Sequence, residues 1–167
     1  MTTLWTLSQD GKSATRTLDN GAFESRLIIA IPADELATAI PYVEPLATAQ
    51  GIQIALLQET YHATVNAPVS FKNTAGVTST YPAGDTVLLN GQTAKQALSD
   101  VITAGSTAWT LGYWIDTAGV SQIFTYADLQ ALAGAMEAVA VAAFQTIETK
   151  AAQVQAATTV AAVQLIV

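Results

Sequence analysis

A chain of 167 residues carrying 13 acidic and 6 basic side chains, with a formal net charge of −7, has room for one ordinary domain or two small ones. The basic residues stand singly, at Lys12, Arg16, Arg26, Lys72, Lys95 and Lys150, so no patch exists to neutralise a row of phosphates, which argues against nucleic-acid binding. Cysteine is absent, which removes disulfides, thiolate metal sites and cysteine nucleophiles together.

Only 11% of residues are charged while 51% are hydrophobic, many of them alanine. Two readings stay open: a surface partly covered by neighbouring proteins, or a monomer clothed in Thr, Gln, Ser and Ala. The amino terminus, Met1-Thr2-Thr3-Leu4-Trp5, has neither the basic nor the apolar region of a secretory leader. The most apolar stretch, Leu27 to Ile31, stops at Pro32, and nothing in the chain is expected to approach the ~20 residues that cross a bilayer. The expectation is a soluble, unexported chain with no membrane insertion.

In chain order, Leu4 to Leu7 and Ala14 to Leu18 are short alternating runs separated by a loop containing Asp10-Gly11, a hairpin cue that Asn20-Gly21 repeats. With Phe23 to Ile31 as a third strand they predict an antiparallel meander, which needs an apolar cover on one face. Trp5 is the anchor for that cover or, alternatively, a binding platform. Pro32 opens a helical turn with Asp34-Glu35 at its positive end. Pro41 and Pro45 interrupt it. A second helix runs from Leu46 to about His62, with Ile52, Leu56 and Leu57 on one side.

Val65 to Phe71 and Val77 to Tyr81 predict a hairpin around Asn73-Thr74-Ala75-Gly76, with Pro68 delaying the first strand. Gly84-Asp85 is a turn, Thr93 to Ile102 a helix with Ala94, Ala97, Leu98, Val101 and Ile102 inward, and Gly105 its stop. Tyr113-Trp114-Ile115 and Val120 to Phe124 form a second hairpin around Asp116-Thr117-Ala118-Gly119. Trp114 is expected to be largely buried between hairpin and helix, so that its truncation to Ala costs on the order of 3 to 5 kcal/mol. Thr125 and Asp128 then open a long proline-free helix to Ala157, followed by a short terminal one. Its apolar stripe includes Leu132, Met136, Ala143, Ile147 and Val154, a stripe that packs either on the chain's own hairpins or in a seam between copies, such as a parallel trimer.

The fold class is therefore α+β: small antiparallel hairpins and a meander with a long C-terminal α-helix. The division expected is residues 1–66, a β-meander plus helical segment acting as a docking module, and residues 67–167, a C-terminal domain. Trp5 and the stripe Leu132, Met136, Ala143, Ile147 and Val154 are the candidate interaction residues.

Catalysis finds no support in these residues. His62 is the single histidine and has only Glu59 at helical spacing, which makes it a surface or capping residue rather than a metal ligand. Asp34-Glu35 is the one adjacent acidic pair, and its place at a helix start accounts for it. Asn90-Gly91-Gln92 is a polar turn without the glycine and lysine spacing of a phosphate loop. No catalytic residue, cofactor or bound metal is expected.

The run Tyr113-Trp114-Ile115-Asp116 through Phe124-Thr125-Tyr126-Ala127-Asp128-Leu129-Gln130-Ala131-Leu132-Ala133, with Lys150 and Ala156-Ala157-Thr158-Thr159, resembles the C-terminal domain of unknown function found on many bacteriophage tail-fibre and tail-fibre-assembly proteins. Val69 to Thr78 resembles that domain's opening, so the similarity spans roughly Val69 to Val167. This chain has Asp116-Thr117 where the family often has Asp-Asn, and its Gly84-Asp85 segment is stretched. The resemblance implies a role in the virion tail after synthesis in the host cytoplasm: a structural fibre, fibre-attachment or baseplate-associated protein whose partners are other tail or fibre proteins; whether it also forms a homo-oligomer, such as the trimer the long helix's stripe would allow, stays open. A tail-fibre assembly chaperone, absent from the finished particle, is the alternative. A tail-associated sugar-cleaving enzyme would need clustered carboxylates and aromatic platforms that the sequence does not display.

Overall fold

The computed structural model describes residues 4–88 and 90–167. The segment Met1 to Thr3, which carries part of the leader argument, lies outside the described residues. The fold is α+β, with three small antiparallel sheets and five α-helices among the described residues.

Strands β1 (Thr6–Leu7), β2 (Ser13–Thr17) and β3 (Phe23–Leu27) form the meander in the order β1-β2-β3. Gly11 and Gly21 sit at φ 65° and 80°, left-handed conformations that the two turns require and that glycine adopts without a Cβ penalty. The third strand ends four residues earlier than expected, and Ile28–Ala30 form a 3₁₀ turn. The reason is a lack of partner: Ile28 N–H bonds the Lys12 carbonyl, and beyond Lys12 the neighbouring chain is already a turn.

One face of the meander is closed by α1 (Ala33–Leu36) and the segment after it. Trp5, Ala14 and Ile31 are buried there, with Leu7, Leu36 and Ala39 packed against them. The Trp5 indole N–H donates to Glu35 Oε2 at 2.7 Å, and the Arg16 guanidinium stacks 4.3 Å from the ring centroid while bonding Glu24 and Glu35. At 1% exposure, Trp5 is the anchor of this small core. Its assignment as an interaction residue is corrected accordingly, because neither ring face nor N–H is open to a partner.

Helix α2 (Leu46–Asn66) lies antiparallel to α4 (Tyr126–Ala156), with α5 (Val160–Gln164) against the start of α2. The direction follows from two contacts: Gln50 reaches carbonyls at the end of α4, and Tyr61 meets Phe144 edge-on at 6.5 Å. The buried residues of α2 are Ala49, Gln53 and Leu57, steps of four that keep one face toward α4 and α5. Ile52 and Leu56, expected on one side of the helix with Leu57, do not share its burial and are 48% exposed, because they lie about 100° round the helix from the buried face. This packing also moves the domain division. A boundary at 66/67 would part α2 from the helices whose core it completes, since Ala49 and Leu57 share a cluster with Val154 and Val163.

The second core lies between two hairpins and two helices. Strands β4 (Val69–Lys72) and β5 (Thr78–Tyr81) pair, as do β6 (Tyr113–Ile115) and β7 (Ser121–Ile123). Val65 and Asn66, expected in a strand, finish α2 instead, and Pro68 marks the change to extended chain. Helix α3 (Ala94–Ala104) is capped by the Thr93 hydroxyl, which accepts from Gln96 N–H, and is stopped at Gly105 with φ 86°. Tyr81, Leu98, Phe124, Leu129 and Leu132 are the fully enclosed residues of this core. Gly84 fixes the loop between β5 and α3: at φ 57° a Cβ would lie 2.1 Å from Asn66 Oδ1 and 2.7 Å from the Val65 carbonyl oxygen. Gly84→Ala should therefore cost roughly 2 kcal/mol, from the left-handed strain plus displacement of the α2 terminus; a urea titration reads it directly.

Helix α4 begins with a complete capping box between Thr125 and Asp128. It is also long and apolar enough to cross a membrane by length and composition, which corrects the expectation that nothing in the chain approaches that size. Alanine supplies much of that apolarity, a residue that favours helix more than it adds buried area.

Candidate functional site

The most connected polar groups in the structure are two buried carboxylates, and both are held for structure. Asp128 is 2% exposed. It accepts from Thr74 N–H (2.8 Å) and hydroxyl (2.9 Å) and from Thr125 N–H (2.8 Å) and hydroxyl (2.7 Å). It thus ties the β4–β5 turn to the start of α4. Burial pushes its pKa up, but the Thr125 and Thr74 donors outweigh it and hold the carboxyl below the usual range.

Asp116 is 6% exposed. It accepts from Ser79 Oγ (2.8 Å), Gln122 Nε2 (3.0 Å), Ala118 N–H (3.0 Å) and Val120 N–H (2.9 Å). The Ser79 hydroxyl first, then these other donors, hold its carboxyl low as well. Asn73 completes the clamp, donating to the Ile123 carbonyl and accepting from Val77 N–H. Thr117 N–H adds a bond to the Thr80 carbonyl. The turn bonds of Asp116 and the cap of Asp128 are local and follow from turn and helix-start chemistry. The links from Thr74, Ser79 and Asn73 cross 37 to 54 residues and have no local signal.

Asp116 accepts two donors on each oxygen, and Asp128 accepts three on Oδ2 and one on Oδ1, so both carboxylates are engaged by the chain's own donors. His62 is exposed and lies edge-on to Tyr61. Among the described residues no three His, Cys, Asp or Glu side chains are grouped to hold a metal ion.

Beside the β6–β7 hairpin lies a cleft of about 550 Å³, walled mainly by Val87, Val101, Leu111, Tyr113, Trp114 and Ile115. Trp114 is half-buried rather than enclosed, its ring 6.2 Å from that of Trp109. The expected cost of Trp114→Ala falls accordingly to about 1 to 3 kcal/mol, in proportion to the area it keeps from water; thermal melts of the variant check it. Leu111, Tyr113, Ile115 and Ile123 expose between 40% and 71% of their surface around this hairpin. The polar side chains of Asn90, Gln92, Asp100 and Thr117 complete the cleft's lining, and exposed apolar area of this extent is a common feature of contact surfaces.

The five stripe residues of α4 all face the chain's own cores, two of them fully enclosed. Leu132 and Val154 are fully buried, in the hairpin core and the α2/α5 core respectively. Met136 and Ile147 are half-buried against the same two cores, and Ala143 is half-buried between them. A seam between copies cannot use Leu132 or Val154, because this chain's own elements already cover them. The opposite face of α4, with Gly134, Ala138, Val141 and Ala142, forms only a shallow open surface.

Comparison of the chain with known protein families, with curated proteins and with solved structures found no match.

Proposed function

We propose that this chain is a structural component of a bacteriophage tail, a fibre, fibre-attachment or baseplate-associated protein that acts through protein–protein contacts and not as an enzyme. The resemblance across residues 69–167 supports the tail reading. The observation that carries the contact reading is the placement of apolar side chains. Phe23, Leu27 and Ile29 stand 84%, 60% and 92% exposed on the meander, and Ile123 stands 71% exposed on the second hairpin, while the buried carboxylates are consumed internally. Large exposed apolar groups on two separate elements suit a protein whose surfaces meet neighbours.

In this reading the partners are other tail or fibre proteins, with neither nucleic acid nor a membrane involved, and the protein resides in the virion tail after synthesis in the host cytoplasm. Packing of α4 along α2, and its tether through Asp128 to the β4–β5 turn, support a helix that works within a folded body rather than in a bilayer. The meander serves as the docking module. A homo-oligomer, a trimer included, would have to do without Leu132 and Val154, which this chain's own cores enclose.

Assembly with surface variants tests this. Ile123→Lys and Phe23→Lys change exposed positions, so each variant should keep the parent's stability within ~0.5 kcal/mol yet be depleted from purified particles. Incorporation of both at the parent level would overturn the reading. Accumulation in assembly intermediates, with loss from finished particles even for the parent, would favour the chaperone.

A further inference from the structure

The meander ends on an open strand whose sequence is complementary to itself. In the β2–β3 ladder, Arg16 faces Glu24 and Ala14 faces Arg26. The ladder's ends are bonded through Leu18 N–H to the Ala22 carbonyl and Ile28 N–H to the Lys12 carbonyl. Hydrogen-bonded pairs alternate along an antiparallel ladder, so Glu24 and Arg26 direct their backbone groups at β2. Phe23, Ser25 and Leu27 direct theirs outward, and β3 is the last strand of its sheet. Among the described residues nothing bonds that row of donors and acceptors, and such an edge next to exposed apolar side chains is a template for another strand.

We infer that β3 pairs with β3 of a second copy of this chain, antiparallel about a two-fold axis at Ser25, joining two meanders into one six-stranded sheet. The outward groups fix the phase, since Phe23, Ser25 and Leu27 must meet their outward counterparts. Within that phase the charges fix the register. Centring on Ser25 places Glu24 opposite Arg26 of the other copy at both ends, and Phe23 opposite Leu27. Sliding one in-phase step either way puts Glu24 against Glu24 or Arg26 against Arg26, and like charges directly opposed are unfavourable. The charged row then reads Arg16, Glu24, Arg26 across the junction, with signs alternating. On the other face, Phe23 and Leu27, now 84% and 60% exposed, cover each other. The surface is isologous, as a two-fold contact requires. The inference rests on β3 alone and does not depend on the tail reading.

Five residues a side bury less than the ~1,200 Å² of a stable interface, so the association is weak and calls for protein at roughly 10 µM to 1 mM, the Kd range of small contacts. Sedimentation velocity on the full chain should show its mass rising from one copy to two across that range. Ser25→Lys places like charges at the axis, and Ser25→Asp does the same with the opposite sign. Each alone should stay at one copy with the parent's circular dichroism, and an equimolar mixture of the two should regain the two-copy species. As a second measurement, amide exchange in the parent should slow with concentration at Phe23, Ser25 and Leu27 and stay constant at Glu24 and Arg26. A parent that stays single, a three-copy species, either variant associating as the parent does, a mixture that fails to pair, or concentration-independent exchange at Ser25 would each overturn the inference.

Discussion

Phe124→Ala should destabilise the chain by about 3 to 5 kcal/mol, the range for emptying an enclosed phenyl site. The ring is 1% exposed and lies 5.1 Å from Tyr81 and 5.9 Å from Phe71, in tilted and edge-on contacts that add to its area burial. Its backbone is engaged too: the carbonyl accepts from Trp109 Nε1 at 3.0 Å, and the N–H bonds the Gly112 carbonyl at 2.9 Å. Those bonds survive truncation, so the loss should appear as a lower urea midpoint with the slope unchanged. A change under ~1 kcal/mol would mean that neighbouring side chains collapse into the space, and that this core is looser than its burial implies.

Asp128→Ala should cost about 2 to 4 kcal/mol. The substitution removes the helix cap, worth ~1 kcal/mol, and takes from the Thr74 and Thr125 N–H groups the carboxylate they share in a part-buried site. Asp128→Asn should cost less, since the amide oxygen still accepts and the threonine hydroxyls can turn to accept from its NH₂. The pH dependence has a defined sign. The folded forms of Asp128 and Asp116 lose their protons more readily than the unfolded chain does, so the stability they contribute is fully present above about pH 4. It is lost as the pH falls through their lowered folded values. The parent should therefore weaken in acid below that point, and Asp128→Ala should show a smaller acid dependence. Equal acid slopes for parent and variant would contradict the clamp.

Local chemistry was readable in the residues, and tertiary choice was not. Asp10-Gly11, Asn20-Gly21, Thr93, Gly105 and the Thr125/Asp128 box each act within a few positions, and each marks a turn or helix end in the structure. The face that α2 buries was misplaced because Ile52 and Leu56 look more apolar than Ala49 and Gln53. Yet Gln53 is the one drawn inward, donating to the Ile166 carbonyl, while Gln50 serves the carbonyls that end α4. That choice depends on a C-terminal segment more than 100 residues away. The α4 stripe was visible, but its partner was not, since a three- and four-residue repeat is the same for a private core and a seam. Thr74, Ser79 and Asn73 read as ordinary turn and strand residues until the second hairpin is folded against them. The cleft beside Trp114 is likewise assembled from separate segments, none of which carries a recognition motif.

The proposed role, a phage-tail component that works through contacts, is tested by quantitative peptide mass spectrometry of purified particles from a virus whose genome encodes this sequence. Peptides from this chain are expected at a fixed whole-number ratio to a known tail protein, retained through high-salt washing. Peptides abundant in the infected-cell lysate but missing from the washed particles would contradict that role.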